Sequence, residues 1–266
     1  VTKKTGQAMA IVDVEHLDGT YFFRHEEFGA EAYAQTHSHS WGHLNYASHG
    51  TLNMHCGDDD VVAPPQYGIW VPPHMPHSCR LRHAVVYRAF YVAPPLCARL
   101  PHSLAVLRIG PIIKTLLADF AARGVQQPRT PEDERMARVM LDQLIASPCR
   151  PHYLPAAQHP ALVQLLEGLQ ERPDDHRSAA ELAAGIHMTE RTLARHCQRE
   201  LGMSLGEWRL RLRYLQAVDR LEAGRSVQDI AFDLGYSTAS AFIAMFQRVA
   251  GMPPDQFRRE FCQIAA

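Results

Sequence analysis

The sequence predicts an α+β chain of several domains: an N-terminal β-barrel, a helical connector and a C-terminal all-α domain carrying two helix-turn-helix motifs. Three observations carry that prediction. Residues 10 to 93 break into short β-branched and aromatic runs separated by turn residues, the pattern of a sandwich or barrel. The segment from residue 104 changes to helical periodicity, and prolines at 148, 151 and 155 then interrupt it, as at a linker. The last ninety or so residues contain an internal repeat. The expected boundaries are 1–103 for the barrel, 104–156 for the connector, and 157–266 for the helical domain.

In the barrel region the expected strands are "AIVDVEHL", "TYFFRHEE", "LNYASHG", "GTLNMH", "DDDVVAPP", "YGIWVPP", "SCRLRH" and "AVVYRAFYV". A further stretch, "HSHSWGH" at 37–43, sets His37, His39, Trp41 and His43 at alternate positions. On one strand they would all project to the same face. Half of the sixteen histidines fall between residues 37 and 83, which a general surface bias does not explain.

The connector opens one helix at "PIIKTLLADFAARG" and a second at "TPEDERMARVMLDQLIAS". Thr130 is placed to cap the second, Pro131 takes its first position, and acids fill its first turn, where they suit the helix dipole. Met136, Val139, Met140 and Leu144 recur on one face of it, fitting either a homodimer seam or packing within the chain.

The repeat lays "SAAELAAGIHMTERTLARHCQRELGMSLGEW" from Ser178 over "SVQDIAFDLGYSTASAFIAMFQRVAGMPPDQF" from Ser226. Each copy opens Ser-x-x-Asp/Glu before an apolar run, the signature of a capped helix start. A break follows, at His187-Met188 or Gly235-Tyr236, and then a second helix. Two helix-turn-helix units result, at 178–202 and 226–251. The stretch "SLGEWRLRLRYLQAVDRLEAG" between them is long enough for a helix of about 30 Å, which could set two recognition helices roughly one DNA turn apart. Leu182, Ile186, Leu193, Cys197, Trp208, Ile230, Leu234, Phe242, Phe246 and Phe257 have the spacing of a core.

Composition limits the function classes. The formal charge is -1, so nucleic-acid contact must come from local charge and not from a polycationic chain. Six cysteines, without C-x-x-C spacing, are expected to be reduced thiols. No apolar run approaches the ~18 residues of a membrane span, and the N-terminus lacks a signal-peptide core. The expectation is a cytoplasmic protein.

The repeat, and above all "DIAFDLGYSTASAFIAMFQRVAGMPPDQFRRE", resembles the DNA-binding domain of the AraC/XylS transcriptional regulators. The resemblance is strong over about residues 159 to 261 and looser over the β region. It implies a regulator that binds promoter DNA, contacts RNA polymerase, acts as a homodimer, and activates more often than it represses. The family's base-contacting positions fall on Arg191, Ala194 and Arg195 in the first copy and on Ala239, Ser240, Ile243 and Ala244 in the second. Arginine forks suit the guanine O6/N7 edge, whereas that second set offers no bidentate partner. The first helix is therefore expected to supply most base specificity, with the second positioning the domain.

The β region resembles the small cupin barrel, whose first motif is His-x-His followed four residues later by an acid. His37 and His39 match the pair, His43 stands at the acid's place, and "WVPPHMPH" supplies His77. Imidazoles suit zinc, nickel, copper or iron. Three readings stay open: a metal site, a pocket donating hydrogen bonds to a small-molecule effector, or packing. Trp41 and Trp70 are candidate barrel wall or stacking partners for an aromatic effector. A cupin metalloenzyme is the rival class, against which the duplicated helix-turn-helix argues, and no catalytic residue is assigned. A regulator for which the metal is itself the signal is the other alternative.

Overall fold

The computed structural model describes residues 6–16, 19–57 and 59–262, without the side chains of His16 and Asp59. The chain divides into two compact units, residues 1–153 with 261–266, and residues 154–260.

In the first unit, β1 (Tyr21–Phe28), β3 (Gly42–His49), β6 (Tyr67–Val71), β8 (Val85–Val92), β9 (Ala105–Arg108) and the short β10 (Cys149–Arg150) form one sheet in the order β1-β8-β3-β6-β9-β10. β2 (Tyr33–His37), β4 (Leu52–Cys56), β5 (Asp59–Ala63) and β7 (His77–Arg80) form a second, ordered β2-β7-β4-β5. All strand pairs in both are antiparallel. The register sorts the first sheet into two faces, because directly opposed residues point the same way. Phe23, Phe90, Leu44 and Trp70 align on one face, and they join a core with Ile113, Leu117 and Phe120 of α1 (Pro111–Ala122) and Ala137, Met140, Leu141 and Leu144 of α2 (Pro131–Ala146). Phe22, Tyr91, His43 and Val71 align on the other, toward the second sheet, where the His43 ring lies 4.8 Å from that of His77 on β7.

Three expectations change here, and of the two readings of the α2 stripe, packing within the chain accounts for most of it. "AIVDVEHL" is not a strand: among the described residues it holds only a short 3-10 helix, Val14–His16. "HSHSWGH" is not one strand either, since His37 ends β2, residues 38–41 form a link, and β3 begins at Gly42. The segment from 104 is no free-standing connector, because β9 extends the large sheet and both helices share its core. The proposed seam on α2 is mostly interior: Met140 and Leu144 are fully buried and Met136 packs on the core, leaving Val139 exposed at 47%. Thr130 does cap α2, its Oγ1 accepting from the Asp133 N–H at 3.1 Å.

The second unit is helical: α3 (Pro160–Glu171), α4 (Ala179–Gly185), α5 (Glu190–His196) running on into a π turn (Cys197–Leu201), α6 (Leu205–Glu222), α7 (Val227–Asp233), α8 (Ala239–Ala250), α9 (Pro254–Phe257) and the first three residues of a closing π turn (Arg258–Cys262). Ser178 and Glu181 close a reciprocal capping box on α4, and Ser226 caps α7 through the Asp229 N–H. Thr189 and Thr238 cap the second helix of each motif. The turns match as well: His187 and Gly235, equivalent in the repeat, both have left-handed backbone, φ 58° and 81°. Gly235 cannot be replaced freely, since a Cβ would lie 2.8 Å from Asp174 Cα. α6, at 18 residues, spans about 27 Å. Every residue expected in this core is buried except Ile186, which is half-buried against it.

Candidate functional site: a histidine cluster and two reading helices

His37 reaches the cluster from the end of β2, His39 from the link, and His77 from the start of β7, where it pairs across the sheet with His37. Their ring centroids lie 4.2 Å apart for His37–His77, 5.2 Å for His39–His77 and 5.9 Å for His37–His39. One nitrogen from each falls within 4.8 Å of the others. The remaining nitrogens explain the convergence. Nδ1 of His37 donates to the Gln35 carbonyl at 2.8 Å, that of His39 to Trp41 at 2.7 Å, and that of His77 to Met75 at 2.9 Å. A carbonyl can only accept, so each contact fixes the Nδ1–H tautomer and leaves the Nε2 lone pair as the ligand atom. This is the support that metal-binding histidines typically receive. Nε2 of His39 and of His77 is buried and has no hydrogen-bond partner.

Burial favours the neutral form of the His39, His77 and His43 rings. It lowers the His39 pKa and takes that of His77 down to about 4. His43 is held far below its ordinary value, first by burial and then by the neighbouring imidazoles.

The fourth expected ligand, His43, does not join the converging set. It lies beside it, its ring 4.6 Å from His39 and 4.8 Å from both His77 and Tyr91. It is 2% exposed, and neither of its nitrogens has a partner. Past Tyr91 the interior stays polar. Arg24 pairs with Glu26 through two bonds of 2.7 and 3.0 Å and lies over the Phe28 and Tyr87 rings, while the Tyr87 hydroxyl donates to Asn45. Sequence reasoning missed this network, although a lone arginine at the alternation position of an aromatic strand, "YFFRHEEF", was its one available signal.

Trp70 belongs to the opposite face. It is fully buried in the core shared with α1 and α2, and its Nε1 donates to the Pro101 carbonyl at 2.9 Å, so it cannot stack on a molecule held by the histidines. Trp41 is buried in the link. Gly42 is required beside it: a Cβ there would lie 2.5 Å from the Trp70 ring.

In the helical unit Arg191, Ala194 and Arg195 are all exposed on α5. On α8, Ser240 and Ala244 are exposed, whereas Ala239 and Ile243 are half-buried. The exposed face of α8 also carries Gln247 and Arg248, one turn further on. These are the long polar side chains that the expected four positions lacked.

Comparison with known proteins addresses both units. The profile of an AraC-like ligand binding domain matches residues 21–190, and that of a helix-turn-helix domain matches residues 182–260. The chain is 30% identical to the HTH-type transcriptional regulator NimR of Escherichia coli over 227 residues, 85% of this chain and 83% of that protein. It is 33% identical over 104 residues to the HTH-type transcriptional activator RhaS of Yersinia pestis, covering 39% and 38% of the two chains. Among solved structures it is similar to fatty-acid-bound ToxT from Vibrio cholerae, with 9% identity, a TM-score of 0.39, and coverage of 94% and 98%.

Proposed function

The chain belongs to the AraC family of transcriptional regulators, and we propose that it is a promoter-binding regulator whose response is set by a divalent transition-metal ion held by His37, His39 and His77. The observation that carries this reading is the convergence of three imidazoles whose Nδ1 atoms are all committed to backbone carbonyls. Two buried Nε2 atoms without partners fit the same group. Zinc, nickel, copper or iron(II) suits a neutral imidazole set, and such an ion supplies a Lewis-acidic centre to which a small molecule can bind. Packing alone accounts for the set poorly, since burying polar atoms unpaired is unfavourable.

DNA recognition rests on α5. Arg191 and Arg195 are exposed, lie four residues apart, and make no ion pair among the described residues, leaving both forks for guanine edges or phosphates. Activation is favoured over repression by the similarity to a protein named as an activator.

The test is elemental mass spectrometry on untagged protein, wild type against His37→Ala/His39→Ala, alongside mobility shifts on the promoter. About one metal per chain in the wild type and none in the variant is the expected result. Wild-type protein that takes up no zinc, nickel, copper or iron(II) overturns the metal reading.

A further inference from the structure

A divalent ion on His37, His39 and His77 would have three neutral ligands. Tetrahedral ions of this kind take four, and sites that bind exogenous molecules leave the fourth position to them. Charge points the same way. No carboxylate joins the cluster among the described residues. Glu26 is committed to Arg24, and Glu15, exposed, accepts from the Ser40 N–H at 3.0 Å. An ion of charge +2 held by imidazoles alone therefore favours an anionic fourth ligand. His43 supplies a second, independent observation, being fully buried against His39 and His77 with both nitrogens unpaired. Whichever tautomer it adopts, it has one N–H to give, and a metal-bound oxygen anion is the acceptor that this N–H lacks.

We infer that the effector is a small molecule with an anionic oxygen, a carboxylate or hydroxamate, which ligates the ion on His37, His39 and His77 and accepts a hydrogen bond from His43. This rests on the metal reading above and goes beyond it: His43 reads the effector and does not hold the ion. A charge-assisted hydrogen bond at a buried site corresponds to a preference of about tenfold or more.

The experiment uses the full chain loaded with cobalt(II), whose visible absorption reports a change in its ligands. Cobalt content is measured by elemental mass spectrometry, and acetohydroxamate is titrated, with neutral acetamide as control. Wild type, His77→Ala, His43→Phe and His43→Gln are compared. The expected result is one cobalt in wild type and in both His43 variants, and little in His77→Ala. Acetohydroxamate should shift the wild-type spectrum where acetamide does not, and should bind His43→Phe about tenfold or more weakly. His43→Gln keeps a donor, should fall between the two, and secures the comparison should the phenylalanine fail to fold. Loss of cobalt from both His43 variants would make His43 a ligand, overturning this inference while leaving the metal reading intact. Equal acetohydroxamate affinity in wild type and the His43 variants, or equal response to acetamide, overturns it too. Wild type that takes up no cobalt removes both.

Discussion

Acid should loosen the first unit through His77, by an amount the structure allows to be worked out. Burial takes its pKa from 6.5 to about 4, and the ring is 2% exposed, so solvent screens the effect little. Between those two values the unfolded chain binds a proton that the folded chain refuses. The unfolded state therefore gains as pH falls, and stability declines with acidity. For this one group the loss is about 2 kcal/mol near pH 5 and about 3 kcal/mol near pH 4. The slope fades above pH 6.5 and is negligible beyond about pH 7.5. Half-buried His39 and buried His43 add in the same direction. The assay is urea unfolding of chelator-treated protein at a series of pH values, followed by tryptophan fluorescence, with His77→Leu as comparison. His77→Leu should flatten the pH dependence over this window. Identical slopes in the two proteins would refute the argument, because the desolvated imidazole would then not be the group responsible. With a bound metal, protons must also displace the ion, so the wild-type transition should move to lower pH.

Arg191→Ala and Arg195→Ala should each reduce discrimination between specific and mutated promoter sites by about 1–3 kcal/mol in mobility shifts, while Arg248→Ala weakens binding to both sites alike. Gly235→Ala should destabilise the second unit by about 2 kcal/mol or more, combining left-handed strain with overlap on the Asp174 backbone. His187→Gly, with the same backbone sign, should raise stability by about 0.5 kcal/mol in thermal unfolding. At mildly alkaline pH a maleimide should label exposed Cys149 rapidly and leave Cys79 unmodified, since burial pushes the Cys79 thiol up to about 12. Peptide mapping after brief labelling distinguishes the two.

How much of this was legible in the sequence depended on the range of the interactions involved. The helical unit was legible almost to the residue, because caps, turns and core spacing are local: Ser178, Ser226 and the paired breaks at His187 and Gly235 announce themselves within a few positions. The histidine cluster was legible in membership but not in arrangement. His37, His39 and His77 do meet, yet the alternation argument placed the first two on one strand with His43, whereas His37 ends β2, His39 stands in the link to β3, and β7 brings the third. His43 was set among the ligands because it occupies the acid's place in the motif. Which atoms converge depends on ring rotations set by carbonyls at 35, 41 and 75, and no motif encodes those. Trp70 stayed open between barrel wall and stacking partner because a central strand buried on both sides shows no polar alternation. The α2 stripe stayed open between two readings for a related reason, since an apolar helix face does not say whether a sheet or a second chain will cover it.

The two helix-turn-helix motifs are near copies in backbone, but the chain uses them unequally. Residues 154–159, which lead into the second unit, are held by the first motif and the helix after it: Glu200 accepts from the Gln158 and His159 N–H groups at 3.0 Å each, and Trp208 Nε1 donates to the Pro155 carbonyl at 2.9 Å. Among the described hydrogen bonds none ties this segment to α7 or α8. Glu200 lies in the π turn that prolongs α5, and the amides it receives, with His196 and Arg199, hold its carboxyl well below the usual carboxylate range. The anchor is thus ionised at neutral pH, and it is fixed to the same helix that presents Arg191 and Arg195. Any displacement entering along the chain at residue 154 meets α5 before it can meet α8. The helix with the arginines is therefore the one whose placement the incoming segment constrains, while α8 packs on a core of its own, with Phe242, Phe246 and Phe257.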